Sequence, residues 1–98
     1  MTDVRVTIKL FAALREVAGQ RLLIEEVPEG SSLGNVVRRI CERLGPEFRK
    51  QVLDERGEPL ERVRILLNGH NIAFLGGFEV KLKDGDEIAM FPPVGGGL

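Results

Sequence analysis

The sequence predicts an α+β domain in which one main helix packs across one face of a single mixed sheet. Three observations carry that expectation. The chain opens on two-residue alternation, Val4, Val6, Ile8 and Leu10 set against Arg5, Thr7, Lys9 and Phe11, which is the pattern of a half-buried strand. Only one long segment has helical spacing: Leu33, Val36, Val37, Ile40, Cys41 and Leu44 fall on one stripe. Several short strand-like runs, punctuated by glycine turns, follow it. One amphipathic helix cannot cover two sheet faces, so it covers one.

The elements follow in order. Residues 11–19 hold one or two helical turns on Ala12, Ala13, Leu14 and Val17, with Gly19 placed to stop them. Residues 20–27 read as a second strand with less regular alternation, ended by Pro28 and Gly30. Ser31 or Ser32 caps the main helix, a hydroxyl accepting from a free backbone N–H. Arg38, Arg39, Glu42 and Arg43 lie mostly off the apolar stripe and are expected in solvent. Gly45-Pro46 ends the helix, and Pro46 opens a shorter one through Phe48 and Val52 that closes before Gly57. Val63, Ile65 and Leu67 resume strand alternation, and Asn68-Gly69 is a dipeptide suited to the positive φ angles of a tight hairpin. Residues 72–75 and 79–82 are expected as short strands on either side of Gly76-Gly77. Asp84-Gly85-Asp86 is a second tight turn before the last strand, residues 87–91. This order describes a roll of the β-grasp kind.

Composition narrows the function. Ninety-eight residues, 43% of them hydrophobic, make one domain with one core, residues 1–93, and a short tail, residues 94–98. Fourteen cationic against fifteen anionic side chains leave a net charge of −1, which gives no electrostatic case for nucleic acid or an anionic membrane as partner. No apolar run approaches the roughly 18 residues of a membrane span, and the alternating start is not a signal peptide. Cys41 is the only cysteine, so no internal disulfide forms, and a cytoplasmic setting is expected.

The body of the chain is poor in reactive groups. Ser31 and Ser32 are its only serines and His70 its only histidine. A nucleophile needs a base within hydrogen-bond reach; both serines read as helix caps, and His70, after a turn, as exposed. Cys41 sits on the apolar stripe and reads as a small buried thiol with no base placed to activate it. Asp84, Asp86 and Glu87 resemble a fragment of a calcium loop, but the other ligands of such a loop are missing, and a solvated turn accounts for them. Gly76-Gly77 and Gly95-Gly96-Gly97 lack the Gly-Lys-Ser/Thr and helix start of a phosphate loop. No metal or bound cofactor is expected.

The end of the chain, PPVGGGL, is different. Pro92 and Pro93 fix φ and have no N–H, so they end the sheet. The glycines leave bare backbone that fits a narrow channel. Composition alone allows either a floppy remnant or a tail, mobile when free, that delivers its carboxylate into another protein's site.

KLFAALREVAG, LNG and DGDEIAMFPPVGGG together resemble the ubiquitin-like sulfur carriers, above all the small subunit of molybdopterin synthase and its archaeal relatives that also serve as protein modifiers. LNGHNIAFLGGFEVKLKDGD is also similar to the sulfur carrier of a cysteine-synthesis pathway, and thiamine-pathway carriers belong to the same group. The resemblance implies a ubiquitin-like β-grasp fold and a C-terminal glycine that a ubiquitin-activating-type enzyme adenylates with ATP. Sulfur then replaces one oxygen, giving a thiocarboxylate. It makes Gly95 the spacer and Gly96 and Gly97 the working pair. Leu98 is a departure with three competing explanations: a trimming protease removes it, which is the favoured one because some carriers of the family are trimmed, the motif is a decoy, or activation tolerates the extra residue. The implied partners are the adenylating enzyme and the synthase large subunit; the carrier itself has no active site. Phe91 falls on the strand face of Glu87 and Ala89, and Phe11 on that of Arg5, Thr7 and Lys9. The two aromatics, with Pro92, Pro93, Val94 and Gly95, form the expected partner-binding surface, although they also suit the rim of the core. A modifier joined through Gly97 to lysines, and a plain binding module with an inert tail, are the competing readings.

Overall fold

The computed structural model describes residues 2–93. The tail residues Val94, Gly95, Gly96, Gly97 and Leu98, and the expectations placed on them, lie outside the described residues.

Strand β1 (Asp3–Leu10) keeps its alternation, with Val4, Val6, Ile8 and Leu10 buried. It pairs antiparallel with β2 (Leu22–Pro28), Thr7 opposite Ile24, across the short helix α1 (Ala12–Ala18). Gly19 ends α1 at φ 75°, where its N–H donates to the Arg15 carbonyl at 2.9 Å. Helix α2 (Leu33–Leu44) starts at Ser32, whose hydroxyl accepts from Asn35 N at 3.2 Å. Ser31 instead donates its hydroxyl to the Pro28 carbonyl at 2.7 Å. Helix α3 (Pro46–Arg49) buries Phe48. Strand β3 (Arg64–Leu67) turns through Asn68 and Gly69, at φ 51° and 86°, into the two-residue β4 (His70–Asn71). The last strand, β5 (Glu87–Phe91), inserts between β1 and β3, parallel to the first and antiparallel to the second. The strand order is therefore β2-β1-β5-β3-β4. α2 crosses one face, packing Leu33, Val36, Val37 and Ile40 onto Val6, Ile8, Ile88 and Met90 in one continuous core. The mixed sheet and single covering helix are as the sequence predicts.

Three local expectations are corrected. Residues 72–75 and 79–82 are not strands; Ile72–Phe74 and Gly77–Glu79 are 3-10 turns, and only Lys81 keeps a bridge, to Ser32. Asn71 Oδ1 accepts from Ala73 N at 2.9 Å, which bends the chain out of the ladder. Gly76 and Gly77, at φ 111° and 69°, then turn it where no strand geometry continues. The helix opened by Pro46 ends at Arg49 rather than running through Val52. Beyond it Asp54 Oδ1 accepts from Arg56 N at 2.8 Å and Glu58 N at 3.0 Å, closing a loop.

The arginines of α2 are not simply a solvated face either. Arg38 lies over the Phe78 ring, 5.2 Å from its centroid, and donates to the Gly57 carbonyl at 2.8 Å. Arg39 and Arg43 reach Glu25, whose side chain is 97% removed from solvent (3% exposed) on the core side of β2. An inward-pointing carboxylate on an edge strand, held by two cations of the covering helix, also discourages edge-to-edge pairing. Its placement sends Leu22 and Ile24 to the opposite, open face, 45% and 55% exposed.

Candidate functional site

The site is built where β1 and β5 end side by side. Parallel pairing sets Leu10 opposite Met90, and Phe11 N donates to the Met90 carbonyl at 3.2 Å. Both chains therefore present their next aromatic on the same face. Phe11 and Phe91 stack with ring centroids 4.4 Å apart and planes 8° from parallel, each half-buried. Such a pair contributes about 0.5–1.5 kcal/mol beyond its burial. Pro92 and Pro93, also half-buried, follow immediately. Proline without an N–H cannot extend the ladder, and β5 stops at Phe91.

Just past Phe11 the backbone is strained: Ala12 has φ 54°, a left-handed conformation that L-residues with a Cβ adopt at a cost of about 1–2 kcal/mol. Beside it a depression of about 290 Å³ is lined by Lys9, Leu10, Phe11, Arg15, Arg21 and Leu22. Lys9 is paired with Glu87 at 3.1 Å. The open face thus carries two apolar groups of residues, Leu22 and Ile24 on β2 and Ala89 and Leu66 beside the aromatic stack, with Thr7 and Lys9 of β1 between them. Leu22 and Ile24 were not singled out from the sequence. Their signal was the pairing of β2 with β1: if Leu23 and Val27 face the core, position 25 does too, and positions 22 and 24 do not.

The remaining candidates lie elsewhere. Cys41 is fully buried in α2, and burial pushes its thiol up to about 11, with the Arg49 charge opposing weakly. Almost none of it is thiolate at neutral pH, so it is no nucleophile there. His70 is exposed in β4, and the two serine hydroxyls are engaged at Pro28 and Asn35. The acids of the second turn close it and tie it to β1 and to the Asn68 turn. Asp84 Oδ1 accepts from Arg5 N at 2.8 Å, while Asp86 accepts from Lys83 N at 2.7 Å and Asn68 Nδ2 at 2.9 Å. Among the described residues no three His, Cys, Asp or Glu side chains converge on a metal-sized point.

A five-stranded mixed sheet holding one helix, with its last strand inside the sheet and an aromatic pair at that strand's end, is a ubiquitin-like β-grasp domain. Within that class the chain belongs to the ThiS family, whose profile matches residues 8–97. It is 37% identical over 91 residues to small archaeal modifier protein 3 of Haloferax volcanii, covering 92% of this chain and 96% of that one. A protein of Archaeoglobus fulgidus, provisionally named a sulfur carrier, is 28% identical over 69 residues, 70% of this chain and 77% of its own. A solved structure from Pyrococcus furiosus, provisionally named subunit 1 of a molybdopterin converting factor, superposes with a TM-score of 0.72 at 32% identity, covering 93% of this chain and 99% of that one. Members of this family are small ubiquitin-like carriers and modifiers.

Proposed function

We propose that this protein is a sulfur carrier whose working terminus is Gly97, and that it serves as the small subunit of molybdopterin synthase. One observation supports this most: the strand that leads into Pro92-Pro93 is locked inside the sheet beside the Phe11–Phe91 stack, in a chain whose family match runs through residue 97. A carrier needs a firmly held root and a bare tail, because only the tail enters the partner's site.

The chemistry runs as follows. After a protease removes Leu98, the Gly97 carboxylate attacks the α-phosphorus of ATP on an adenylating enzyme, and pyrophosphate leaves. Hydrosulfide-level sulfur supplied by a partner then attacks the carbonyl of the mixed anhydride, AMP leaves with the former carboxylate oxygen, a proton is lost, and a thiocarboxylate remains for transfer within the synthase. A free carboxylate is too poor an electrophile for that exchange, whereas AMP is a good leaving group. Gly96 and Gly95 give Gly97 clearance in the channel, Val94 follows the diproline, and Phe11 and Phe91 supply contact area on the body. That area matters because ordering each tail residue costs roughly 1–2 kcal/mol.

The test is ATP–pyrophosphate exchange by the cognate adenylating enzyme with chains ending at Leu98, Gly97 and Gly96. One residue shifts the carboxylate by up to about 3.5 Å, and a misplacement near 1 Å already costs roughly a hundredfold. The chain ending at Gly97 is expected to react far faster than either neighbour. Equal rates for all three would remove Gly97 as the working terminus; no reaction with any would leave a plain binding module.

The 37% identity to a small archaeal modifier favours a second reading, conjugation through Gly97 to protein lysines. Conjugates recovered from the native host with this tail joined to lysine would establish it. The two readings share the adenylation step.

A further inference from the structure

We infer that Asn68 is a site of spontaneous covalent modification: when its tether to Asp86 opens, its carboxamide cyclises onto the Gly69 nitrogen and is lost as ammonia. The first requirement is the residue pair itself. An asparagine side chain can close on the backbone nitrogen of the next residue, and glycine, with no Cβ, leaves that nitrogen open to attack. Asn68-Gly69 is the one such pair in the chain. Asn35 and Asn71 precede Val36 and Ile72, whose branched Cβ atoms crowd the approach. Asn68 and Gly69 are both exposed to water, in the turn between β3 and β4.

The fold holds the reaction back. Asn68 Nδ2 donates to Asp86 Oδ1 at 2.9 Å, and Asn68 Oδ1 accepts from Glu87 N at 2.9 Å. Both ends of the carboxamide are thus fastened to the start of β5, and its carbon cannot swing to the Gly69 nitrogen while they hold. The anchor is itself fixed. The other Asp86 oxygen accepts from Lys83 N at 2.7 Å, and Asn68 N donates to the Glu87 carbonyl at 2.8 Å.

The chemistry needs only water and hydroxide. Gly69 N gives its proton to hydroxide and bonds to Asn68 Cγ; the Cγ–Nδ2 bond breaks, and Nδ2 takes a proton from water and leaves as ammonia. Water then opens the cyclic imide at either carbonyl, which yields aspartate or isoaspartate at position 68. Neither product can restore the tether. The new carboxylate has no hydrogen to donate to Asp86 and sets a like charge against it. A transient opening at the start of β5 is thereby made permanent, so the modification records how often that end of the strand comes loose.

Peptide mapping by mass spectrometry tests this on the full chain held at mildly alkaline pH. In guanidinium chloride Asn68 is expected to convert to a mixture of aspartate and isoaspartate, far faster than Asn35 or Asn71. Gly69→Ala should slow it there, as an attack by the Gly69 nitrogen requires. In the native chain the rate at Asn68 should be lower by at least about tenfold. Asp86→Ala, shown to be folded by a cooperative melt, should raise the native rate roughly tenfold, the factor that one hydrogen bond to a charged group supplies. A second measurement needs no variant. At low denaturant the Asn68 rate should rise in step with hydrogen exchange at the Glu87 amide, which the same tether protects. A native rate equal to the denatured one overturns the inference, as does an Asn68 that stays intact in denaturant. So does a folded Asp86→Ala chain that reacts no faster than the wild type, or a rate that does not follow the exchange.

Discussion

Cys41 and Asp54 show how burial and hydrogen bonding divide the roles of single side chains. The Cys41 thiol is fully enclosed by the core and raised to about 11, so it contributes packing and no chemistry. Cys41→Ala should cost about 1–2 kcal/mol of stability through lost contacts. It should leave adenylation and sulfur loading of the chain ending at Gly97 intact. A folded Cys41→Ala chain that can no longer be loaded would make the thiol a participant. Asp54 is half-exposed, and backbone N–H groups from Glu58 and Arg56 hold its carboxylate below the ordinary 3.8. Its folded value is depressed, so ionised Asp54 stabilises the loop above pH 3.8, and that stabilisation is lost as pH falls through the lower folded value. Asp54→Asn keeps the accepting oxygen and removes the charge. Thermal melts should place the variant below the wild type at neutral pH, with the two curves converging below pH 3.8. A constant gap down to the most acid point would assign the effect to shape rather than charge.

Among the elements, α2 shows why a helix is more than its apolar stripe. Gly34, in its first turn, would be a poor helix residue by propensity. A Cβ there would lie 2.8 Å from Phe78 Cβ and 3.0 Å from its ring, so the missing side chain is what lets the 3-10 turn of Gly77–Glu79 close onto the helix. Gly34→Ala should therefore destabilise the fold by about 1–3 kcal/mol despite alanine's better propensity. Urea unfolding measures it, and the double variant Gly34→Ala/Phe78→Ala should cost less than the sum of the single changes. Strict additivity would mean the close approach is not the cause. β2 makes the complementary point. Its burial alternates cleanly, yet its hydrophobicity does not, because Glu25 occupies a core-side position with Arg39 and Arg43.

At the scale of the whole molecule, β5 joins the two ends of the chain's history. It pairs with β1, the first strand, and with β3, so the segment leading to the tail is the middle of the sheet rather than an edge. A pull on the tail is resisted by both neighbours at once. The same pairing assembles Phe11 and Phe91, 80 positions apart in sequence, into one stack beside the tail root. Phe11→Ala and Phe91→Ala should each weaken recognition by the adenylating enzyme at least tenfold. Each should also cost somewhat more than the stack's own ~0.5–1.5 kcal/mol in stability. Pyrophosphate exchange at saturating ATP, with carrier concentration varied, reads the first effect and thermal melts the second. Exchange unchanged in both folded variants would confine the pair to the rim of the core.

What the sequence by itself determined was local and periodic. The alternation of Val4, Val6, Ile8 and Leu10, the stripe from Leu33 to Leu44, the Gly19 stop, a serine cap at position 31 or 32 and the Asn68-Gly69 turn each depend on neighbours within a few residues, and each is legible in order. The motif of diproline and glycines was legible for the same reason. The tertiary structure alone decided what depends on distant partners. Residues 72–75 have strand-like composition, but Asn71's side-chain bond and the two positive-φ glycines outcompete a ladder that has no further strand to offer. The core-side place of Glu25 is decided by α2, which brings two guanidinium groups to it. The irregular alternation of residues 20–27 does not say which side Leu22 and Ile24 take, and the burial of Glu25 turns them outward. Phe74 reads as part of a strand, but the 3-10 turn of Ile72–Phe74 leaves it 87% exposed.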